Sequence, residues 1–214
     1  MTIQSVLPRI AFEKPADRND ELRATAAVRF LEPPTRRFVM IDGEGPPAEA
    51  AFVARMPGLY ATAWTLRFSL KARGIVSRVG PLEGMWWTAD GSTSLEAVFG
   101  PDAGDRGGWR WTLLIALPDE ALETEVEAAL ATGRSKLDAA TAPGLRVGLF
   151  SEGRVAQVLH VGPYAAERPT IERLHAAIAD AGYRPRGHHH EIYLGDPRRS
   201  APERLKTILR QPVD

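Results

Sequence analysis

The spacing of apolar residues predicts a long helix in the first third of the chain. Between Ala48 and Arg73 apolar residues recur every three or four positions, and Gly74 follows where a helix would end. The recurring residues are Leu59, Ala63, Leu66 and Leu70. Before this helix, Phe38–Ile41 is a continuous apolar run closed by the glycine- and proline-rich segment 42–47, which is typical of a buried strand and a turn.

Two tryptophan-rich strands are predicted after the helix, over Pro81–Thr88 and Trp109–Pro118. The connection between them, Ala89–Gly108, is rich in Gly and Asp and shows no periodicity. Connections longer than about 12–15 residues inside a compact domain are commonly lids or binding loops. We therefore expect a lid at Ala89–Gly108.

The remainder of the chain alternates strands and helices, whereas the first 34 residues have only a weak pattern. We interpret Met1–Pro34 as an arm with a short helix over Asp20–Phe30, and residues 35–214 as one domain. The later predicted elements are a helix over Asp119–Leu137, a strand pair Arg146–Phe150 and Val155–His160 across a turn at Ser151–Arg154, a helix over Pro169–Ala181, and strands His189–Leu194 and Leu205–Gln211.

Two parts of the chain repeat the order strand, Gly-Pro turn, helix, strand, loop, strand. The two turns are Gly45-Pro46 and Gly162-Pro163. This duplication predicts an α+β fold in which two βαββ halves form one antiparallel sheet. Both helices need an apolar surface, so we expect them on one face of the sheet and a ligand cleft on the other face.

Composition narrows the functional classes. The 27 basic and 27 acidic residues balance, and no long single-sign run supports binding to nucleic acid or to a membrane surface. There are no cysteines, which excludes disulfides, thiol catalysis and thiolate metal sites. No signal peptide or membrane span is recognisable, and we expect a cytoplasmic protein without a cofactor.

Alternation along the strand before Gly195 singles out one carboxylate. We assign the face of Ile192 and Leu194 to the helices, because both residues are apolar. Glu191 and Tyr193 then point to the open face. A carboxylate against aromatic walls is desolvated, which raises its pKa and suits general acid or base catalysis. The alternative is an ordinary exposed strand glutamate.

Four of the five tryptophans lie in two strands, as Trp86, Trp87, Trp109 and Trp111. One interpretation is packing, since tryptophan is favoured in strands and cores. The other is an aromatic box that holds a flat or cationic ligand near Glu191.

Four further residues are candidates for the same site. Glu83 takes a position in the first repeat similar to that of Glu191 in the second, although capping or loop pairing explains it equally well. Tyr164 follows the second Gly-Pro turn and is a candidate wall residue or hydroxyl donor. Tyr60 and Trp64 lie on an aromatic ridge of the long helix.

The run His188–His190 suggests a metal site, because its first and third residues share a strand face. Two ligands do not make a site, and His160 and His175 lie on other elements. We therefore expect no metal.

The sequence resembles the GyrI-like, or effector-binding, small-molecule-binding domain family from about Thr35 to Val213, most of all its stand-alone subfamily. The motifs that carry the resemblance are Phe38–Gly45, Pro81–Trp87, Gln157–Tyr164, Pro169–Ile171, His189–Leu194, Asp196–Arg199 and Leu205–Val213. The resemblance implies the duplicated βαββ fold and a cleft that binds aromatic or cationic compounds around a glutamate matching Glu191.

Some stand-alone members of this family hydrolyse cyclopropane-containing DNA-alkylating natural products with an aromatic cage, which implies water addition to a strained ring here. Two hypotheses follow. In the first, the protein is a protective hydrolase of electrophilic xenobiotics, with Glu191 as its catalytic residue. In the second, the protein binds or sequesters small molecules without chemistry, and Glu191 is only a counter-charge.

Overall fold

The computed structural model describes residues 10–46, 50–90 and 108–214. The lid predicted at Ala89–Gly108 lies mostly outside the described residues. Four helices and eight strands are present in the described part of the chain. In chain order they are α1 (Arg18–Glu21), β1 (Arg29–Leu31), β2 (Arg36–Glu44), α2 (Ala50–Ala72), β3 (Leu82–Thr88), β4 (Trp109–Ala116), α3 (Glu123–Arg134), β5 (Arg146–Phe150), β6 (Val155–Val161), α4 (Arg168–Asp180), β7 (His189–Tyr193) and β8 (Lys206–Pro212).

The chain divides into two compact units. The central unit is Thr35–Ser151, and the terminal unit combines Met1–Pro34 with Glu152–Asp214. The predicted boundary between an arm, 1–34, and a domain, 35–214, stays a prediction. None of the helices among the described residues is long and apolar enough to cross a membrane.

Each unit contains one copy of the predicted repeat. In the central unit β2, α2, β3 and β4 follow one another, and β4 pairs antiparallel with both β2 and β3. In the terminal unit β6, α4, β7 and β8 follow the same order, and β8 pairs antiparallel with both β6 and β7. The α+β fold built from two βαββ copies with antiparallel strands is therefore confirmed.

The strand pair predicted between Arg146–Phe150 and Val155–His160 is wrong. Both strands form, but β5 pairs with β2, and β6 pairs with β1 on one side and β8 on the other. Because a strand has two edges and both edges of β6 are taken, the short connection between β5 and β6 cannot make a hairpin.

The helix predicted over Asp20–Phe30 is also wrong. Only the single turn α1 forms, with the Asp17 carboxylate accepting a hydrogen bond from the Asp20 backbone N–H at 2.8 Å. The chain then becomes extended. The Leu159 N–H donates to the Thr25 carbonyl at 2.8 Å, and β1 adds to the edge of β6.

The strand that begins near Phe38 continues through the segment predicted as a turn. Gly43 lies inside β2, directly opposite Trp111 in β4. A Cβ atom on Gly43 would lie 2.1 Å from the nearest ring atom of Trp111, so only glycine leaves room for the indole. The Trp111 indole N–H then donates to the Gly45 carbonyl at 3.1 Å.

The long helix forms as predicted and ends at Ala72, and Gly74, two residues later, adopts a positive φ of 80°. Its apolar stripe packs on the sheet, and α3 packs along one flank. The Ser69 hydroxyl donates to the Glu125 carboxylate at 2.8 Å across that helix pair. Gly133 of α3 approaches Thr62 so closely that an added Cβ would lie 2.0 Å from the hydroxyl.

In the terminal unit the N-terminal segment covers the sheet face opposite α4. The Gln157 amide donates to the Glu21 carbonyl at 2.9 Å. The Arg210 guanidinium contacts the carboxylates of Glu152 at 2.6 Å and of Glu21 at 3.3 Å. His190 Nδ1 lies 2.9 Å from the Glu152 carboxylate. These side chains form a buried polar network, and their burial is tolerated because each charge meets an opposite one.

Burial and pairing act in opposite directions on Glu152. Burial acts to raise the pKa of its carboxyl, whereas the charges of His190 and Arg210 and their hydrogen bonds lower it. The pairing wins, so the pKa of Glu152 lies well below its usual range and the group is ionised in the folded protein.

Candidate functional site

The strand register places Tyr193 on the sheet face that α4 covers. Tyr193, Thr207 and His160 form one cross-strand row. His160 Nδ1 lies 3.1 Å from the Thr170 hydroxyl, and Thr170 belongs to α4. Since side chains in one row share a face, the whole row points towards the helix.

Glu191 lies two residues from Tyr193 and shares its face. The expectation that both point to an open face is therefore wrong. Ile192 and His190 point to the opposite face, where Arg210 and the N-terminal segment bury them. Both faces of this strand are covered, so the apolar character of Ile192 did not identify the helix side.

Two buried carboxyl groups interact beneath the start of α4. Glu191 is 8% exposed, and Glu167, the residue before the first turn of α4, is 5% exposed. Burial, followed by the negative charge of Glu191, raises the pKa of Glu167 to about 9, while the Thr207 hydroxyl opposes the shift. We call Glu167 and Glu191 the acidic pair.

The pKa of Glu167 is raised although Glu167 lies at the N-terminus of α4. A helix N-terminus favours a negative charge by about 0.3–2 kcal/mol. In Glu167 that contribution is outweighed by burial and by the neighbouring carboxylate. At neutral pH Glu167 therefore carries a proton, and the acidic pair has one proton available for donation.

Glu191 is held between a hydroxyl and an imidazole of its own strand. The Tyr193 hydroxyl donates to Glu191 Oε2 at 2.7 Å, and His189 Nε2 lies 3.6 Å from Oε1. The rings of Tyr193 and Tyr164 meet edge to face with centroids 5.6 Å apart. Tyr164 is 39% exposed, so this tyrosine pair extends from the carboxylate towards solvent.

The second Gly-Pro turn fixes the approach of Tyr164 and Glu167 to the strands. His160 Nε2 lies 3.3 Å from the Pro163 carbonyl, which makes Nε2 the protonated nitrogen and Nδ1 the acceptor for the Thr170 hydroxyl. Gly162 has a φ of 142°, and a Cβ there would lie 3.2 Å from the imidazole. A glycine is required at this turn for both reasons.

Two histidines of the terminal unit have lowered pKa values. Burial, and then the neighbouring His189, lowers the pKa of His175 to about 4. Burial also lowers the pKa of His188. Within the described ranges, no group of three or more His, Asp or Glu side chains is arranged to hold a metal ion.

Three of the tryptophans belong to the core of the central unit. The Trp86 ring stacks on Phe52 of α2 with centroids 5.9 Å apart, and Trp111 meets the same phenylalanine edge-on at 5.2 Å. Trp109 packs against Trp86 at 5.4 Å. All three are buried beneath α2, which fits the packing interpretation.

The remaining candidates of the central unit lie apart from this core. Trp87 stands in a row with Arg110 on the sheet face away from α2. Trp64 is exposed on α2, where the Arg67 guanidinium lies 5.0 Å from its ring, and Tyr60 is half-buried one turn earlier. The structure thus brings Glu191, Tyr193 and Tyr164 together in the terminal unit and the tryptophan core together in the central unit.

Glu83 is not the counterpart of Glu191. Aligning the two Gly-Pro turns also aligns the strands that precede them, and the cross-strand pairs then identify the equivalent positions. The equivalent rows are Ile41–Leu113–Gly84 and Val158–Leu209–Glu191. Gly84 therefore takes the place of Glu191, and Glu83 is buried on the face of β3 turned away from α2.

Glu167 and Thr207 were missed by sequence reasoning. Glu167 precedes Pro169 by two residues, so its position at a helix start was readable, but a glutamate there is ordinary. Thr207 lies two residues before Leu209 in β8, so strand alternation places both side chains on one face. Neither signal indicates that the Glu167 carboxyl group lies near Glu191.

Residues 26–214 match the family model of the GyrI-like small-molecule-binding domain. The chain belongs to the GyrI-like small-molecule-binding family. The acidic pair and the tyrosine pair thus lie in a GyrI-like domain. No curated protein matches this sequence.

Three solved GyrI-like relatives come from Listeria innocua. A conserved protein described as uncharacterized is 32% identical, with a TM-score of 0.78 over 92% of this chain and 97% of its own. Two structures described as a hydrolase are 31% and 29% identical, with TM-scores of 0.76 and 0.73, and each match covers 92% of this chain and 96% of the other.

Proposed function

We propose that this protein binds flat hydrophobic or cationic small molecules at the acidic pair and hydrolyses electrophilic ones, cyclopropane-containing compounds among them, as a protective activity. The observation that carries the proposal is the acidic pair itself, in which Glu167 is a neutral acid at pH 7 beside Glu191. A neutral carboxylic acid beside a second carboxyl group is an arrangement found in acid–base catalysis.

The two carboxyl groups have complementary roles in ring opening. In a cyclopropane conjugated to a carbonyl group, Glu191 takes a proton from water as the water oxygen bonds to a ring carbon. A carbon–carbon bond of the ring breaks, and its electron pair moves to the carbonyl oxygen. Glu167 donates its proton to that oxygen, so atoms and charges balance.

The tyrosines serve binding and positioning in this proposal. The Tyr193 hydroxyl donates to one oxygen of Glu191 at 2.7 Å, and the other oxygen, 3.6 Å from His189 Nε2, accepts the proton from water. The Tyr164 ring, partly exposed beside it, offers a surface on which a flat ligand can stack. The hydrolase descriptions of two relatives at 29% and 31% identity support a hydrolytic reaction of this kind.

Turnover of a cyclopropane-conjugated ketone, followed as the ring-opened alcohol by liquid chromatography, tests the proposal. Glu191→Gln and Glu167→Gln should each lower kcat by about 10²-fold or more. Glu172→Gln is the matched control, because this glutamate of α4 is exposed and forms a surface ion pair with Arg168. Full turnover by Glu191→Gln would remove that residue from the mechanism.

The alternative is binding without chemistry, and the carboxylate beside two tyrosines also favours it because this arrangement suits an organic cation. Calorimetry with a cationic aromatic ligand and its neutral isostere separates the two functions. If Glu191 is only a counter-charge, Glu191→Gln weakens the cation about tenfold or more and spares the neutral ligand, and no electrophile is turned over.

A further inference from the structure

The outer strands of the two units, β1 and β5, differ in the hydrogen bonding of their outer edges. In the terminal unit the outer edge of β1 is closed by the N-terminal segment, since the Glu13 N–H donates to the Phe30 carbonyl at 2.9 Å and the Glu32 N–H donates to the Glu13 carbonyl at 2.8 Å. In the central unit β5 pairs with β2 on one side. No backbone hydrogen bond from the described residues reaches its other side.

The β5 strand lacks the features by which proteins protect an exposed edge. Its sequence, Arg-Val-Gly-Leu-Phe, contains no proline and no charge within the strand beyond the first residue. Leu149 is 74% exposed, although its neighbours in the strand are partly covered. An edge that carries one charge, at its first residue, and a protruding leucine is suited to strand pairing.

The strand is complementary to itself in one register. A two-fold axis through Gly148 pairs all five residues in antiparallel fashion and keeps the two faces of the strand distinct. On one face Leu149 meets Val147 of the second copy, so the exposed leucine is buried against a β-branched residue. On the other face Arg146 meets the ring of Phe150, a favourable cation–π contact.

We propose that β5 is the interface of a homodimer, in which a second copy of this chain pairs with it antiparallel about a two-fold axis at Gly148. Five residue pairs alone bury less area than a stable interface needs. The helix α3 flanks β5, since Arg134 donates from Nε and Nη2 to the Leu145 carbonyl at 3.1 and 2.9 Å. In the dimer both α3 helices lie beside the joined strands and enlarge the interface.

Sedimentation of the full chain tests the dimer directly. The wild type should sediment with twice the 23.4 kDa mass of one chain, and Leu149→Lys should halve that mass. Val76→Lys is the control, because Val76 is 96% exposed in a loop outside β5 and its replacement should leave the dimer intact. A wild-type monomer at all concentrations, or a dimer that survives Leu149→Lys, would overturn the proposal.

Cysteine cross-linking fixes the register even if Leu149→Lys impairs folding. The chain has no cysteine, so every disulfide reports the introduced residues. The double variant Val147→Cys/Leu149→Cys should form a covalent dimer on oxidation, because the thiol introduced at each of these positions would face the other position of the second copy at disulfide distance. Each single variant should stay uncrosslinked. No covalent dimer from the double variant, or equal yields of dimer from all three variants, would contradict this register.

Discussion

The cross-strand row of side chains that faces the helix differs between the two copies of the repeat, which have α2 and α4 as their helices. In the central unit it consists of Gly43, Trp111 and Trp86, and in the terminal unit the equivalent residues are His160, Thr207 and Tyr193. One indole fills the space above a glycine, whereas the other row is polar and faces the acidic pair. The same backbone thus supports a packed core in one copy and titratable groups in the other.

The opposite sheet faces differ as well. In the central unit this face carries the apolar cluster of Phe38, Met40 and Leu114. In the terminal unit it carries Arg210 and its carboxylate partners beneath the N-terminal segment. Polar groups therefore occupy both faces of the terminal copy, and its stability should depend on charge and pH far more than that of the central copy.

The largest expected effect comes from breaking the buried network of the terminal unit. Arg210→Met removes the guanidinium that Glu152 and Glu21 share in the buried network, so we expect a loss of about 3–5 kcal/mol in the free energy of unfolding. Arg198→Met, which removes an exposed arginine of the same unit, should cost under about 1 kcal/mol. Equal losses in urea denaturation would contradict the contrast.

The stability of the central copy should be sensitive to added side-chain volume in its core more than to the loss of a charge. In Gly43→Ala the new methyl group collides with the Trp111 ring, and we expect a loss of about 1–3 kcal/mol or more in urea denaturation. Adding Trp111→Phe should recover part of the loss by vacating that space. Gly80→Ala is the control, since its nearest contact would be an ordinary 3.4 Å.

The acidic pair should make stability fall with rising pH. The pKa of Glu167 is raised to about 9 in the folded protein from an ordinary value of 4.5. Between these values the folded state binds more protons than the unfolded state, so wild-type stability decreases from about pH 5 to about pH 9. Glu167→Gln cannot ionise, and at pH 9 it should exceed the wild type by about 1–3 kcal/mol.

Glu172→Gln provides the reference for that comparison, because Glu172 is exposed on the same helix and should follow the wild-type profile. Parallel profiles for wild type and Glu167→Gln across this pH range would mean that Glu167 is ionised throughout.

The smallest effect concerns the contact between the polar row and α4. Thr170→Val removes the hydroxyl partner of His160 Nδ1 and should cost about 1 kcal/mol by thermal and urea denaturation. Thr132→Val removes a half-buried hydroxyl that donates to the preceding turn of α3, and it should cost less. A larger loss at Thr132 would contradict the role given to the His160–Thr170 contact.

Local signals were sufficient to predict most of the helices and strands of the fold. The helical spacing before Gly74 and the two Gly-Pro turns act through neighbouring residues, so sequence alone predicted α2, α4 and the duplication. The continuation of β2 through Gly43 was not predictable in this way. It depends on an indole that lies 68 positions later in the chain, at Trp111.

The site was only partly predictable for the same reason. Glu191 and Tyr193 were recognised because their alternation is local. Their face was assigned wrongly because the N-terminal segment, more than 150 residues earlier in the chain, buries Ile192 on the other side. Glu167 gains its raised pKa from burial and then from the charge of Glu191, which lies 24 positions later, and composition near Glu167 indicates neither cause.

The most direct test of the account is the titration of Glu167 by NMR of the carboxyl carbon in protein labelled at glutamate. We predict a pKa of about 9 in the wild type. In Glu191→Gln we predict a lower value that still exceeds the ordinary 4.5, because the neighbouring charge is gone while burial remains. Titration of Glu167 near 4.5 in both proteins would contradict the acidic pair.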